Sequence, residues 1–236
     1  MPSPRADPRE PSLGFDVVED GIWSARVGHA VAVGRAHPDG GVETGLDGHV
    51  WLWFSSLPRF NFPLETVDGT FGFWAGERGE RWSWRVRLAH WSGHLGDGAS
   101  LIDERRIVYS RESLGGLAFW QASPRLALHG GPALFVRADP VTRMFQFQLG
   151  GEYSRDSRPT APRGRRADPF VAVDFRAKAE NAMRVNQSYR AGVQWTGSPG
   201  GNAFRVALGY DAGNSERGQD YRARDHYVSL GCTFGR

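Results

Sequence analysis

Three polar residues alternate in the segment "AHWSGHLGD": His90, Ser92 and His94. On a β-strand, residues two apart point to the same face and lie about 6.6 Å apart, so an imidazole from either histidine can reach the serine hydroxyl. A histidine beside a serine hydroxyl is the pair that nucleophilic acyl chemistry requires. The spacing therefore predicts a candidate ester-hydrolysing site in which Ser92 attacks and His90 takes its proton.

A triad also needs an acid that orients the base. If residues 95–104 form a connection, Glu112 comes roughly opposite His90 on the next strand, and Asp97 is a second candidate. One metal ion cannot be shared by His90 and His94, because four strand residues span about 13 Å and metal–nitrogen bonds are about 2 Å long. We therefore predict no metal site and no tightly bound cofactor. The alternative is that these groups satisfy strand-end hydrogen bonds or bind lipid phosphate.

The elements that carry these residues are strands, because apolar and polar residues alternate with a period of two along most of the chain. In "RWSWRVRLAHWSGH", one phase is rich in arginine and the other is apolar, with Trp82, Trp84, Val86 and Leu88. The pattern predicts an all-β fold, an up-and-down antiparallel transmembrane barrel of about twelve strands. The predicted strands are 12–18, 22–35, 41–54, 66–76, 80–94, 105–120, 124–138, 142–154, 168–179, 184–197, 202–212 and 226–236.

A membrane barrel turns its apolar phase to lipid and keeps polar side chains inside, whereas a soluble barrel does the reverse. An arginine facing lipid at the midplane costs about 2–4 kcal/mol, which favours placing the charge-free phase outside. Tryptophans at predicted strand ends fit interfacial girdles: Trp23, Trp51, Trp53, Trp82 and Trp195. The charges expected in the lumen include Arg85, Arg87, Asp174, Arg176, Arg190 and Arg205. They can line a narrow channel for small charged solutes, or pair with each other and plug the barrel.

Composition excludes several classes of protein. No run of about 18 apolar residues occurs, so a transmembrane helix is not expected. The formal charge of +3 is spread along the chain, unlike the clustered basic stripe of a nucleic-acid-binding protein. Residues 1–11 are predicted to be a flexible extension, and residues 12–236 a single barrel domain. The opening "MPSPRADPREP" has no apolar secretory segment, so for an exported protein we expect the sequence to start at a mature end or a misplaced initiator.

Several segments together resemble the uncharacterised bacterial family known as domain of unknown function 1207. They are "ADPREP", "HWSGHLGD", "VYSRESLG", "PFVAVDFRAKAE" and "AGVQWTG". The resemblance covers almost the whole chain and implies an outer-membrane β-barrel of Gram-negative-type cells, with no established activity. Two features depart from what it implies: the chain shows no signal peptide, and Phe234 is followed by Gly235 and Arg236, where such barrels commonly end on an aromatic residue.

If the chain enters the barrel from the periplasm, the fifth strand runs outward and carries the polar pair to the outer-leaflet boundary. We then expect His94, Asp97 and Trp91 at the rim, against lipid headgroups. The His90–Ser92 spacing is also similar to small outer-membrane barrels that deacylate lipid A, although Gly93 and His94 stand where those enzymes have an asparagine. Three functions stay open: a structural, partner-binding or lipid-binding barrel, an outer-leaflet lipid ester hydrolase, and a narrow channel. The expected partners are outer-membrane lipids, including lipopolysaccharide, and possible outer-membrane proteins.

Overall fold

The computed structural model describes residues 3–37, 40–56, 61–98, 107–155, 167–196 and 203–235. Twelve antiparallel strands form one closed barrel, in which each strand pairs with its sequence neighbours and the first pairs with the last. The predicted fold class and strand number are confirmed. The strands are β1 (Leu13–Val18), β2 (Ile22–His37), β3 (Gly40–Ser55), β4 (Leu64–Arg78), β5 (Trp82–Leu95), β6 (Tyr109–Ser123), β7 (Leu126–Asp139), β8 (Phe145–Ser154), β9 (Asp168–Lys178), β10 (Val185–Thr196), β11 (Ala203–Asn214) and β12 (Arg224–Gly235).

Short helical turns occur at Glu19–Gly21 and Ala179–Asn181, both of them 3₁₀ turns between strands. In the ranges described above, no helix has the length and apolar character needed to cross a bilayer. The predicted strand ends at 105, 197, 202 and 236 lie outside the described residues. The other strand ends differ from the prediction by a few residues in both directions, because hydrogen-bonded pairing and not alternation sets where a strand ends.

The two phases of each strand face opposite environments, and the apolar phase faces outward. On β5, Val86 and Leu88 are 42% and 48% exposed, whereas Ser83 and Ala89 on the other phase are 5% and 2% exposed. The same outward placement of large apolar side chains recurs on every strand of the barrel. This is the arrangement of a barrel whose exterior contacts lipid.

The barrel interior is polar, and its largest fully buried side chains include Arg111, His49, Gln194 and Asp174. Burying a charge is costly unless it is paired and hydrogen-bonded. The interior meets this requirement with ion pairs: Arg87 with Asp47 and Arg190 with Asp211 between strands, and Arg111 with Glu180 of the turn Ala179–Asn181. The core of this fold is therefore a network of paired charges.

Residues 3–12 lie inside the barrel and are held there by charges of both signs. Asp7 pairs with Arg176, and Glu10 accepts two hydrogen bonds from Arg85 at 2.6 and 2.8 Å. Ala6 is 1% exposed and packs in a small apolar cluster. The sequence predicted a flexible extension here. The structure instead gives this segment fixed partners, because its alternating charges match those of the lumen.

The connection between β11 and β12, residues 215–223, folds into the barrel from the opposite end. Glu216 pairs with Arg9 of the N-terminal segment and with Lys178, whose Nζ lies 3.1 Å away. Gly218 donates its backbone N–H to Asp68 at 3.0 Å, and the Gln219 side chain donates to the Gly93 carbonyl at 2.6 Å. The two segments meet in the lumen, where cavities remain beside them.

The tryptophan girdle is only partly as the sequence predicted. Trp82 is 61% exposed and stacks on Trp120, with ring centroids 5.6 Å apart. Trp195 is also exposed, at 38%. Trp51 and Trp53, in contrast, lie on the inward phase of β3, so their assignment to the girdle is wrong. Periodicity shows that two residues share a face, but a tryptophan fits either a lipid boundary or a polar lumen.

Candidate lipid-facing site on strands β4 to β6

His90 and Glu112 are direct partners across the β5–β6 ladder. His90 Nδ1 lies 2.8 Å from Glu112 Oε1, and the two side chains are 27% and 33% exposed. A carboxylate accepts a hydrogen bond, so this contact places the proton of a neutral imidazole on Nδ1. The other ring nitrogen, Nε2, then carries the lone pair that a general base needs.

The other cross-strand neighbour of His90 is Phe71, its direct partner on β4. The two ring centroids are 5.1 Å apart, and the planes are tilted by 32°. The imidazole is therefore held between an aromatic ring on one strand and a carboxylate on the other. This arrangement limits the rotation of the ring at a surface where water is scarce.

Ser92 lies on the same outward phase as His90, two residues further along β5. Its ladder partners are Gly69 on β4 and Ser110 on β6. A Cβ at position 69 would lie 3.6 Å from Ser92 Oγ, so the glycine leaves open space beside the hydroxyl. No hydrogen bond joins Ser92 to His90 in the part of the chain that the structure describes.

Of the three residues predicted at the rim, two are exposed on the outside of the barrel, and the third points into the barrel. His94 is exposed on the phase of His90 and Ser92, and Asp97 is exposed after the end of β5. Trp91 points into the barrel, where it stacks on Trp51 with ring centroids 5.8 Å apart and donates to Ser113 Oγ at 3.0 Å. The rim assignment of Trp91 is wrong, because alternation puts it on the arginine phase of β5.

Below the polar pair, an apolar groove runs down the outside of the barrel. It is lined by Leu46, Phe73, Val86, Leu88 and Leu114, among others. Leu88 precedes His90 on the outward phase of β5, and Leu114 follows Glu112 on the outward phase of β6. The groove thus begins directly beside the His90–Glu112 contact and extends toward the middle of the barrel wall.

The six residues predicted for the lumen all lie on inward phases. Arg85 pairs with Glu10, Arg87 with Asp47, Arg176 with Asp7 and Asp174, and Arg190 with Asp211 at 2.9 Å. Asp174 Oδ2 also lies 3.0 Å from His129 Nε2. Arg205 shares the inward phase of β11 with Ala203 and Asp211. The segments at 3–12 and 215–223 supply ion-pair partners to Arg85 and Arg176.

Titration of the two inserted segments follows their ion pairs. Burial by itself raises the pKa of Glu216, but the charges of Lys178, Arg9 and Arg176 outweigh burial and hold the pKa well below 4.5. Burial likewise opposes ionisation of Asp7, yet Arg176 and hydrogen bonds to the carboxylate lower its pKa below 3.8. Both carboxylates therefore anchor their segments to basic residues in the lumen.

Sequence reasoning did not single out two features of this site. One is the N-terminal segment, whose "RADPRE" charges are visible in the sequence but whose partners lie more than 70 residues away. The other is Arg137, which the β6–β7 ladder places directly opposite Glu112 on the outside of the barrel. A strict alternation assigns Arg137 to the inside. Among the described residues, no group of three metal-ligating side chains is close enough to hold an ion.

A family model described as a protein of unknown function (DUF1207) matches residues 24–235. No curated protein matches the sequence significantly. Among solved structures, the fold is similar to outer membrane phospholipase A from Escherichia coli, with a TM-score of 0.61 and 12% identity over 94% of this chain and 88% of that one. The outer membrane phospholipase of Salmonella typhi, a dimer with bound calcium, gives a TM-score of 0.58 and 12% identity over 96% and 93% of the two chains.

A further similar structure is LpxR from Salmonella typhimurium, with a TM-score of 0.49 and 13% identity over 95% of this chain and 100% of that one. At such identities the similarities show the fold alone. The chain is a barrel of the outer-membrane type.

Proposed function

Because the chain belongs to the DUF1207 family, whose description names no reaction, we propose its function from the site itself: a lipid ester hydrolase of the bacterial outer membrane. The observation that carries this proposal is the 2.8 Å contact between His90 Nδ1 and Glu112 Oε1 on the outside of the barrel. The His90 imidazole and the Glu112 carboxylate are not required for contact with lipid, and placing either group in lipid costs free energy. Their pairing two residues from a serine is the base-and-orienter arrangement of nucleophilic acyl transfer.

The location supports a substrate in the outer leaflet. On average the connections are shorter at the end that holds both termini (38–39, 79–81, 124–125, 155–167 and 197–202) than at the other end (19–21, 56–63, 96–108, 140–144, 179–184 and 215–223). Outer-membrane barrels have short periplasmic turns and longer extracellular loops. The end of β5 that carries Ser92 is thus the outer end. Scissile esters of outer-leaflet phospholipid, or of the lipid A part of lipopolysaccharide, lie at that depth.

The proposed reaction uses three side chains. Ser92 Oγ attacks the ester carbonyl carbon, while His90 Nε2 takes the hydroxyl proton and Glu112 stabilises the imidazolium. His90 returns the proton to the departing alcohol, which leaves an acyl group on Ser92. Water, deprotonated by the same imidazole, then releases the fatty acid and restores the serine. The groove at Leu88 and Leu114 would hold the acyl chain beside the reacting carbonyl.

The separation of Ser92 and His90 is compatible with this chemistry, because catalytic hydrogen bonds are often long without substrate and tighten in the complex. It also motivates a second candidate, a lipid-binding barrel that performs no reaction. Both candidates share the outer-membrane lipid partner. The two segments inserted into the lumen narrow it, which disfavours the third function that the sequence left open, a channel.

The test is acyl release from phospholipid and from lipopolysaccharide, followed by mass spectrometry on the refolded protein in mixed micelles. We expect free fatty acid from the wild-type protein and none from Ser92→Ala. The matched control is Ser110→Ala, since Ser110 is the direct partner of Ser92 on β6 and faces the same way. Intact lipids with the wild-type protein, or equal loss with both serine variants, would contradict the hydrolase and leave the binding barrel.

A further inference from the structure

Strand β7 contains one residue more than its partner β6 at the level of the candidate site. Ser113 pairs with Phe135, but Glu112 pairs with Arg137, so Val136 has no ladder partner. The exposure pattern shows the consequence: Phe135 is 7% exposed, Val136 is 58% exposed, Arg137 is exposed, and Ala138 is 8% exposed. Two consecutive side chains therefore face outward, which is the signature of a β-bulge.

The bulge changes the face on which Arg137 lies. In an unbroken ladder, Val136 would oppose Glu112 outside, and Arg137 would oppose Arg111 in the lumen. With the extra residue, the guanidinium faces outward directly opposite Glu112, on β7, two strands from His90 on β5. Bulges are over-represented beside active sites, where they re-aim a side chain.

The redirected guanidinium has no protein partner within the described ranges: no ion pair or hydrogen bond engages it. The carboxylate opposite, Glu112, is bonded to His90 instead. Asp139, two residues on and facing the same way, lies about 6.6 Å along the strand and makes no ion pair with it. A lone cation on this surface is tolerable near the interface, and an anion in the lipid layer is its natural partner.

We propose that Arg137 binds the phosphate group of a lipid whose acyl chain lies in the groove at Leu88 and Leu114. A guanidinium presents two parallel N–H donors that match phosphate oxygens, which lysine cannot reproduce. The headgroup side of the lipid then lies over β7 and its ester over β5. The ester position rests on the proposed function, whereas the phosphate contact does not. The substrate class that follows is a phosphate-bearing lipid and not a neutral glyceride.

The experiment measures binding in the absence of turnover. Ser92→Ala protein in detergent is titrated with phosphatidic acid and with diacylglycerol of the same acyl chains, and lipid adducts are counted by native mass spectrometry. The added change Arg137→Gln is expected to weaken phosphatidic acid binding on the order of 10-fold, as for loss of a charged hydrogen bond. Diacylglycerol binding is expected to stay the same. Inorganic phosphate, added as a competitor, tests whether the free anion occupies the same place.

Three further variants control the result. Arg143→Gln removes another exposed arginine at the same end of the barrel, in the connection after β7, and is expected to leave both affinities unchanged. Arg137→Lys is expected to recover only part of the phosphatidic acid affinity. Deletion of Val136 removes the bulge, turns Arg137 inward and should reproduce Arg137→Gln. Gel mobility of the folded barrel before heating verifies that each variant is folded.

Unchanged phosphatidic acid binding in Arg137→Gln overturns the inference, as does an equal loss for both lipids. Displacement of phosphatidic acid by millimolar inorganic phosphate would show an anion site that does not require a lipid, which also overturns it. Failure of the wild-type protein to release fatty acid would end the proposed function but leave this binding result standing. The two failures are therefore distinguishable.

Discussion

Replacement of Glu112 by glutamine tests the proposed chemistry with the smallest change of shape. In the wild-type protein, the carboxylate accepts the Nδ1 proton of His90 at 2.8 Å and leaves Nε2 free to take a proton from Ser92. A glutamine amide that donates to Nδ1 would move the ring proton to Nε2, where it blocks proton transfer. A glutamine carbonyl that accepts from Nδ1 would keep the tautomer but lose the charge that stabilises the imidazolium.

Both orientations of the amide impair the base, so the size of the effect can be bounded. General acid–base catalysis contributes about 10²- to 10⁴-fold, and loss of the orienting acid in a serine triad lowers kcat by about 10⁴. We therefore expect Glu112→Gln to lower kcat by about 10²- to 10⁴-fold, equivalent to about 3–5 kcal/mol in the barrier. KM should change little, because Glu112 is not among the residues that line the acyl groove.

The assay is steady-state fatty acid release from a phospholipid in mixed micelles, with the lipid concentration varied to separate kcat from KM. Asp139→Asn is the matched control: Asp139 is an exposed outward acid on the neighbouring strand, opposite Ser110, and should leave kcat unchanged. A Glu112→Gln protein with wild-type kcat would refute the role given to Glu112. An equal loss in Asp139→Asn would show that surface charge at the rim, and not orientation of His90, sets the rate.

Three other outcomes follow from the barrel. Leu88→Arg places a charge on the lipid face and should lower the free energy of unfolding in vesicles by up to about 2–4 kcal/mol, measured by urea titration, whereas Leu88→Phe should change it by less than about 1.5 kcal/mol. Deletion of residues 3–10 removes Glu10, the partner of Arg85, and Asp7, one of the partners of Arg176. Planar-bilayer recordings should then show anion-selective conductance that the full chain lacks, even with residues 215–223 in place. Equal silence of both proteins would contradict a blocking role of the N-terminal segment. The pKa of Glu216 in the folded protein lies well below 4.5, so its carboxylate stabilises the fold above pH 4.5 and loses this contribution as the pH falls through the folded pKa. The denaturation midpoint should therefore drop on acidification below about pH 4.5. Glu216→Gln should make the midpoint less dependent on pH in this range.

Alternation was sufficient to predict the barrel, its strand number and its inside-out polarity. The reason is physical: a strand side chain has only two directions, so one charged phase and one apolar phase assign both faces at once. The opposition of His90 and Glu112 was predicted only roughly, because a connection at 95–104 places His90 opposite Tyr109, three residues before Glu112. The ladder pairs these two residues directly.

Alternation fails where a feature depends on distant contacts or on an insertion. The N-terminal segment has no strand period, and nothing in "SPRADPRE" shows that Arg176 and Arg85 will hold it in the lumen. The bulge at Val136 is a one-residue slip, which reverses the face of Arg137 while leaving the sequence pattern intact. Trp51 and Trp91 were misplaced for a third reason: an aromatic ring is as stable against arginines in a polar lumen as at a lipid boundary.

The contacts of the charges outside the barrel bear on whether these residues have a functional role or only neutralise each other. If Glu112 and Arg137 served only to neutralise each other on a lipid-facing surface, the direct opposition of their strands would bring them into an ion pair. Instead, Glu112 bonds His90, and the guanidinium of Arg137 stays unengaged by the described residues. The fold thus leaves one imidazole with a free nitrogen on β5 and one guanidinium without an ion pair on β7, on either side of β6. A surface built only for stability would have no reason to keep either group unsatisfied.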